Sequence, residues 1–180
     1  MSIQAPVAQV LKPGTLYAVL LYRGETNAWH CALFLPYESL PSAPNTLCGK
    51  AWHCSSKTAG ARGRWAYEEL SPDQLRLSER LVLAARLADL SSLGAPADVA
   101  AELSLVLRGV PVRPEAHRSV FNCRSWMLDG IGELDDGGFL SCISTMALEH
   151  ELVTAALLAT PKYKEDGSYV MITPRNCSDN

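Results

Sequence analysis

The hydrophobic pattern of this chain changes period about halfway along, and that change restricts the fold more than any other feature. The first half reads as strands. "TLYAVLLYR" (Thr15–Arg23) is β-branched and aromatic, bounded by Pro13-Gly14 and Gly24. "AWHCALFL" (Ala28–Leu35) follows a short turn at Asn27, the layout of a hairpin, and Pro36 ends it. A loop carrying Pro36, Pro41 and Pro44 leads to "KAWHCSS" (Lys50–Ser56) and then "RWAYEEL" (Arg64–Leu70). "SERLVLAARLADL" (Ser78–Leu90) has helical composition, but its short apolar run fits a fifth strand at Leu81–Leu87 better.

The second half reads as helices. Pro96 and Asp98 open a segment whose Val99, Leu103, Val106 and Leu107 share a face and which Gly109 stops. "NCRSWMLDGIGEL" carries Cys123, Trp126, Met127, Ile131 and Leu134 on one stripe. The longest segment, Ser141–Ala159, is expected to turn Ile143, Met146, Ala147, His150, Val153 and Leu157 inward and to end at Pro161. "GSYVMITP" suits a short closing strand and "RNCSDN" a frayed tail. Strands followed by helices predict a single α+β domain over residues 1–180, with an ordered core at about 14–173: an antiparallel sheet of about five strands packed against about three helices.

At 180 residues, 48% apolar and 19% charged, the chain is long enough for one sizeable core. A net charge of −3 gives no footprint for general nucleic-acid binding. The basic stretch Lys57–Arg64, with Arg62, reads as a solvated Gly-rich turn. The N-terminal residues do not resemble a signal peptide and no apolar run has membrane-spanning length. The expectation is a cytoplasmic protein without membrane anchor, whose six cysteines are thiols. None forms a C-x-x-C pair, and no resident metal or cofactor is implied.

The tetrapeptide Ala-Trp-His-Cys occurs twice, at Ala28–Cys31 and Ala51–Cys54. Side chains alternate between the faces of a strand, so His30 and His53 can share one face while Cys31 and Cys54 point to the other. On paired strands the two imidazoles come within hydrogen-bond reach, and one can hold the tautomer of the other. Asn122 is a good N-cap, and Cys123 just after it stands where a helix dipole and unpaired N–H groups lower a thiol pKa and stabilise an oxyanion. Cys177, in the tail, is expected to be accessible but unactivated.

The order of a His strand ("HCALFL"), a second His strand ("AWHC" at 51) and a late Asn-Cys helix start ("NCRSWM") resembles the permuted papain-like enzymes, the group of lecithin:retinol acyltransferase. The resemblance spans about Leu16 to Leu134 and is closest to short fungal proteins of this layout. Arg124-Ser125 replaces the group's Glu-His, and the two histidines lie farther apart in sequence. The resemblance implies a circularly permuted papain-like fold, with Cys123 as nucleophile, His30 as base and His53 as the orienting group. Asn122, Tyr17, Trp29, Trp126 and Arg124 are substrate or oxyanion candidates. His117 and His150 are rival bases, and Glu68 or Glu69 the alternative orienting group.

The chemistry so implied is cysteine-dependent acyl transfer through a thioester, as hydrolase or acyltransferase, on a small-molecule acyl or aminoacyl substrate. An aminoacyl-tRNA-dependent cyclodipeptide synthase of the fungal kind is an alternative, which keeps charged tRNA among the compatible substrates. Two others are a non-catalytic binding protein on the same scaffold and a zinc site at His30, His53 and Cys123.

Overall fold

The computed structural model describes residues 10–25, 28–37, 48–57, 64–112 and 121–179. The expected turn at Asn27, most of the Pro36–Gly49 loop, the basic turn with Arg62 and the loop with His117 lie outside the described residues. The strand-then-helix pattern holds. Strands β1 (Thr15–Tyr22), β2 (Trp29–Pro36), β3 (Gly49–Lys57) and β4 (Arg64–Leu70) form an antiparallel run. Two single-turn helices, α1 (Pro72–Leu75) and α2 (Leu77–Arg80), lead into β5 (Leu81–Asp89), which pairs antiparallel with β1. The ambiguous Ser78–Leu90 segment is therefore mostly strand.

Helices α3 (Pro96–Gly109) and α4 (Cys123–Asp136), the two-residue β6 (Ser141–Cys142) and helix α5 (Thr145–Asp166) follow. Strand β7 (Val170–Ile172) returns to the main sheet beside β5, in parallel. The sheet therefore has six strands in the order β4-β3-β2-β1-β5-β7 and is mixed, not the purely antiparallel five expected. The expected frayed tail is strand β8 (Cys177–Ser178), paired with β6, with Cys177 opposite Cys142.

The sheet is covered on both faces. On one, Leu20, Cys31, Leu33, Leu35, Trp52 and Cys54 pack against α3, α4 and α5, including Leu103, Trp126 and Leu152. On the other, Tyr17, Val19, Leu21, Ala32, Phe34 and Ala51 lie with Leu75 and Leu77 of α1 and α2. Covering on both faces explains why β1 and β2 read as continuous apolar runs instead of alternating ones.

Helix α5 departs most from expectation. Leu148, Leu152, Ala156, Ala159 and Thr160 form its buried stripe, whereas Ile143, Met146 and Leu157 are exposed and His150 faces solvent. Apolar side chains occur on every side of this segment, so periodicity did not select a face. Pro161 lies within the helix, which continues to Asp166. Proline removes the hydrogen bond to the carbonyl of Leu157, but that turn is on the solvent side, where water can supply the partner.

Gly49 begins β3 opposite Pro36, and a Cβ there would collide with the Leu35 carbonyl oxygen and the Phe34 ring. Backbone cannot yield there without opening the β2–β3 ladder. Gly49→Ala is expected to destabilise the protein by about 1–3 kcal/mol, the usual range for overpacking. Urea unfolding measures it; an unchanged midpoint would contradict the packing described.

Candidate active site

The strand register sets out the site. His30 is opposite Leu21 and His53 is opposite Ala32, so both imidazoles share the face that carries α1 and α2. His30 Nε2 and His53 Nδ1 are 2.5 Å apart, with the rings edge-on at 89°. Glu68, opposite His53 on β4, brings Oε2 to 3.2 Å from His53 Nε2, a carboxylate–imidazole contact off the line of an ideal hydrogen bond. Ser55 donates to the same carboxylate oxygen at 2.8 Å. The orienting histidine and the alternative carboxylate thus stand in one line. Glu69 points to the opposite face, where Lys50 and Arg108 pair with it and Tyr67 donates to it, and has no part in this line.

Cys123 reaches the site from the helix side. Asn122 caps α4: its Oδ1 accepts from the N–H groups of Arg124 and Ser125 at 2.9 and 3.1 Å, and Ser125 Oγ accepts from the Asn122 N–H at 2.9 Å. This reciprocal box is worth about 1 kcal/mol to the helix. It leaves the Cys123 N–H as a first-turn donor without a hydrogen bond among the described residues.

The β2–β3 ladder ends at the Ala32–His53 pair. Just beyond it, the Cys31 N–H turns to the Cys123 sulfur, with N···Sγ at 3.5 Å. Cys31 faces the helix layer, as expected, but that is the side from which Cys123 arrives, so Cys31 belongs to the site. Cys54 lies in the same apolar layer, and burial pushes its thiol up to about 12.

The Cys123 thiol is held well below its ordinary value. The Cys31 side chain, as hydrogen-bond donor, is the largest cause; burial opposes it, and hydrogen bonding and charge from His30 add to it. Cys31 is pushed the other way, above all by the same hydrogen bond, and stays a thiol. His53 is lowered to about 4, first by burial and then by the charge of His30, so it is neutral at pH 7.

Cys123 borders two cavities. One, of about 310 Å³, contains His30 and His53 together with Leu21, Trp65 and Leu75. The other, of about 180 Å³, has Trp29, Asn122 and Arg124 in its wall. Trp29 is fixed by an Nε1–H bond to Thr160 Oγ1 at 3.1 Å, and Arg124 by Glu149 at 2.9 Å.

Two expected site residues are not there. Tyr17 is fully buried on the α1/α2 face, and its hydroxyl accepts from the Lys12 N–H at 2.9 Å. Trp126 is fully buried in the helix-side core against the Tyr67 ring. Each lies on the apolar stripe of its element, and packing claims it. His150 is exposed on α5, away from the site. Cys177 is 4% exposed and its thiol is pushed upward by burial, so it is not the accessible control expected; Cys48, partly exposed, takes that place. Among the described residues no group of three His, Cys, Asp or Glu side chains is arranged to hold a metal ion, and none of the helices is long and apolar enough to cross a membrane.

Compared with known proteins, the chain matches no family model, no curated protein and no solved structure.

The lowered His53 pKa has a consequence for stability. Between pH 6.5 and about 4 the unfolded chain takes up a proton at this histidine that the folded chain refuses. The unfolded state then binds more protons, so this contribution weakens the fold as pH falls through that window. His53→Asn removes it, and the loss of urea stability between about pH 7 and pH 4.5 is expected to be smaller in the variant than in the wild type. Equal losses would contradict a buried neutral His53.

Proposed function

We propose that this protein is a cysteine-dependent acyl-transfer enzyme with a permuted papain-like arrangement of its site. The observation that carries the reading is the meeting of a helix-start thiol, held low, with His30, itself backed by His53 and Glu68. His30 Nε2 is engaged with His53, which leaves Nδ1 to exchange a proton with Cys123. A neutral His53 accepts from His30 Nε2–H through Nδ1 and directs its own Nε2–H to the Glu68 carboxylate.

In the first step the Cys123 thiolate attacks the carbonyl carbon of an ester, thioester or activated amide. The S–C bond forms and the carbonyl oxygen becomes an oxyanion, for which the Cys123 N–H at the helix start is an available donor. As the oxyanion collapses, the bond to the leaving group breaks, and the leaving group takes a proton from the His30 imidazolium where it needs one. In the second step an amine, alcohol or water attacks the thioester, gives its proton to His30, and releases the acyl product and the thiolate. Cys123 lines two cavities, which leaves room for both a donor and an acceptor and supports transfer over simple hydrolysis. Aminoacyl groups are one case of such donors.

The test is a neutral activated ester, p-nitrophenyl acetate, followed by intact mass and peptide mapping. One acetyl group is expected on Cys123 and none in Cys123→Ala. His30→Ala is expected to slow acetylation by about 100-fold or more, the usual contribution of a general base, and His53→Ala by less. Acetylation spread over several cysteines, or unchanged in His30→Ala, would favour a binding protein on this scaffold.

A further inference from the structure

The wall of the larger cavity away from the histidines is cationic. Arg23 after β1, Arg76 between α1 and α2, and Arg80 at the end of α2 all line it. The same three arginines line an adjoining cavity of about 290 Å³. Among the described residues Glu79 is the single carboxylate lining either cavity, and it is bonded to Arg76. Among the described residues, the side chains of Arg23 and Arg80 have no ion-pair or hydrogen-bond partner. Two of the three guanidinium charges are thus left without a carboxylate. Lys164, whose ammonium stands 5.4 Å from the centre of the Tyr22 ring, adds a further cation beside the adjoining cavity.

The backbone adds a second observation. Arg76 is the only non-glycine residue with positive φ among the described residues, at φ 54° and ψ 42°. A side chain of this length is uncommon in the left-handed region, where glycine or asparagine is the usual occupant. Sparsely populated backbone conformations persist where the surroundings impose them and are concentrated at binding sites. Here the kink ends α1, starts α2 and turns a guanidinium toward the cavity. Tyr163 of α5 fixes α2 from outside, donating its hydroxyl to the Glu79 carbonyl at 2.7 Å.

A lone carboxylate would occupy one arginine fork. Two uncompensated guanidinium charges within a cluster of three fit a dianion with three acceptor oxygens, which is a phosphate. The overall charge of −3 favours a small ligand over a polynucleotide. The adjoining cavity leaves room for a group carried beyond the phosphate.

We propose that Arg23, Arg76 and Arg80 bind the phosphate of a phosphate-bearing acyl donor whose carbonyl lies against Cys123; this rests on the acyl-transfer reading above. For an acyl phosphate, the Cys123 sulfur forms a bond to the carbonyl carbon. The C–O bond to the phosphate oxygen breaks with its electron pair going to that oxygen, and the phosphate takes the proton of the His30 imidazolium to leave as HPO4²⁻, which frees His30 as base for the second step.

Titration calorimetry with inorganic pyrophosphate tests the anion site without any chemistry. Wild type is expected to bind one pyrophosphate, and Arg23→Gln/Arg80→Gln to bind it at least about tenfold more weakly, with acetate ion bound weakly by both. The second measurement compares acetylation of Cys123 by acetyl phosphate and by p-nitrophenyl acetate. The double variant should lose about tenfold or more with acetyl phosphate and change less than about twofold with the neutral ester. Absence of pyrophosphate binding to wild type, equal binding by the double variant, or equal rate losses with the two donors would overturn the assignment. Arginine-dependent pyrophosphate binding with no acetylation by either donor would instead keep the anion site and overturn the acyl-transfer reading.

Discussion

The end of the β2–β3 ladder at Ala32 and His53 is the constraint on which the site depends. Past that pair the two strands no longer satisfy each other, and the Cys31 N–H is left to find an acceptor. It finds the Cys123 sulfur, brought in by the first turn of α4. A sulfur in that position gains from accepting charge-assisted hydrogen bonds, and the Cys31 thiol and His30 reinforce the same demand. The gap in the sheet and the capped start of the helix therefore act together: one supplies donors, the other holds the thiolate against them.

Covering both faces of the sheet gives the two halves of the candidate site separate supports. The helix layer α3–α5 holds Cys123, while the face under α1 and α2 holds His30 and His53. Their meeting point is at the sheet's opening, where apolar packing gives way to cavities. His53 is kept neutral by burial and by the charge of His30, which suits a group that accepts from its neighbour instead of competing for the proton.

Much of this architecture is legible in the sequence because it follows from short-range rules. Glycine and proline punctuation marks β1 to β4, the Pro96 and Asn122 starts mark α3 and α4, and strand parity puts His30 and His53 on one face. The same parity rule led away from Cys31, since a rule internal to one strand cannot say from which side a distant helix will come. Tyr17 and Trp126 were legible as apolar-stripe residues, and packing prevailed over their polar atoms. Helix α5 was misread because residues such as Met146, Leu148, Leu152, Leu157 and Leu158 surround its axis; only the position of β5 decides which of them are covered. Cys177 looked like tail sequence, yet two residues of ladder with β6 are enough to bury it. The left-handed Arg76 has no sequence signal, because the residues usual at such a position are glycine and asparagine.

The central claim is that Cys123 is a thiolate at a pH where ordinary thiols are not. It is tested most directly by timed alkylation with iodoacetamide at about pH 6, reading each of the six cysteines by peptide mass. A thiol with pKa near 8.5 is under about 1% ionised there, and the gain in thiolate fraction on lowering the pKa exceeds the accompanying loss of nucleophilicity. Cys123 is expected to react at least about tenfold faster than the partly exposed Cys48, and to lose that lead in His30→Ala while Cys48 is unaffected. Equal rates for Cys123 and Cys48 in the wild-type protein would contradict the account.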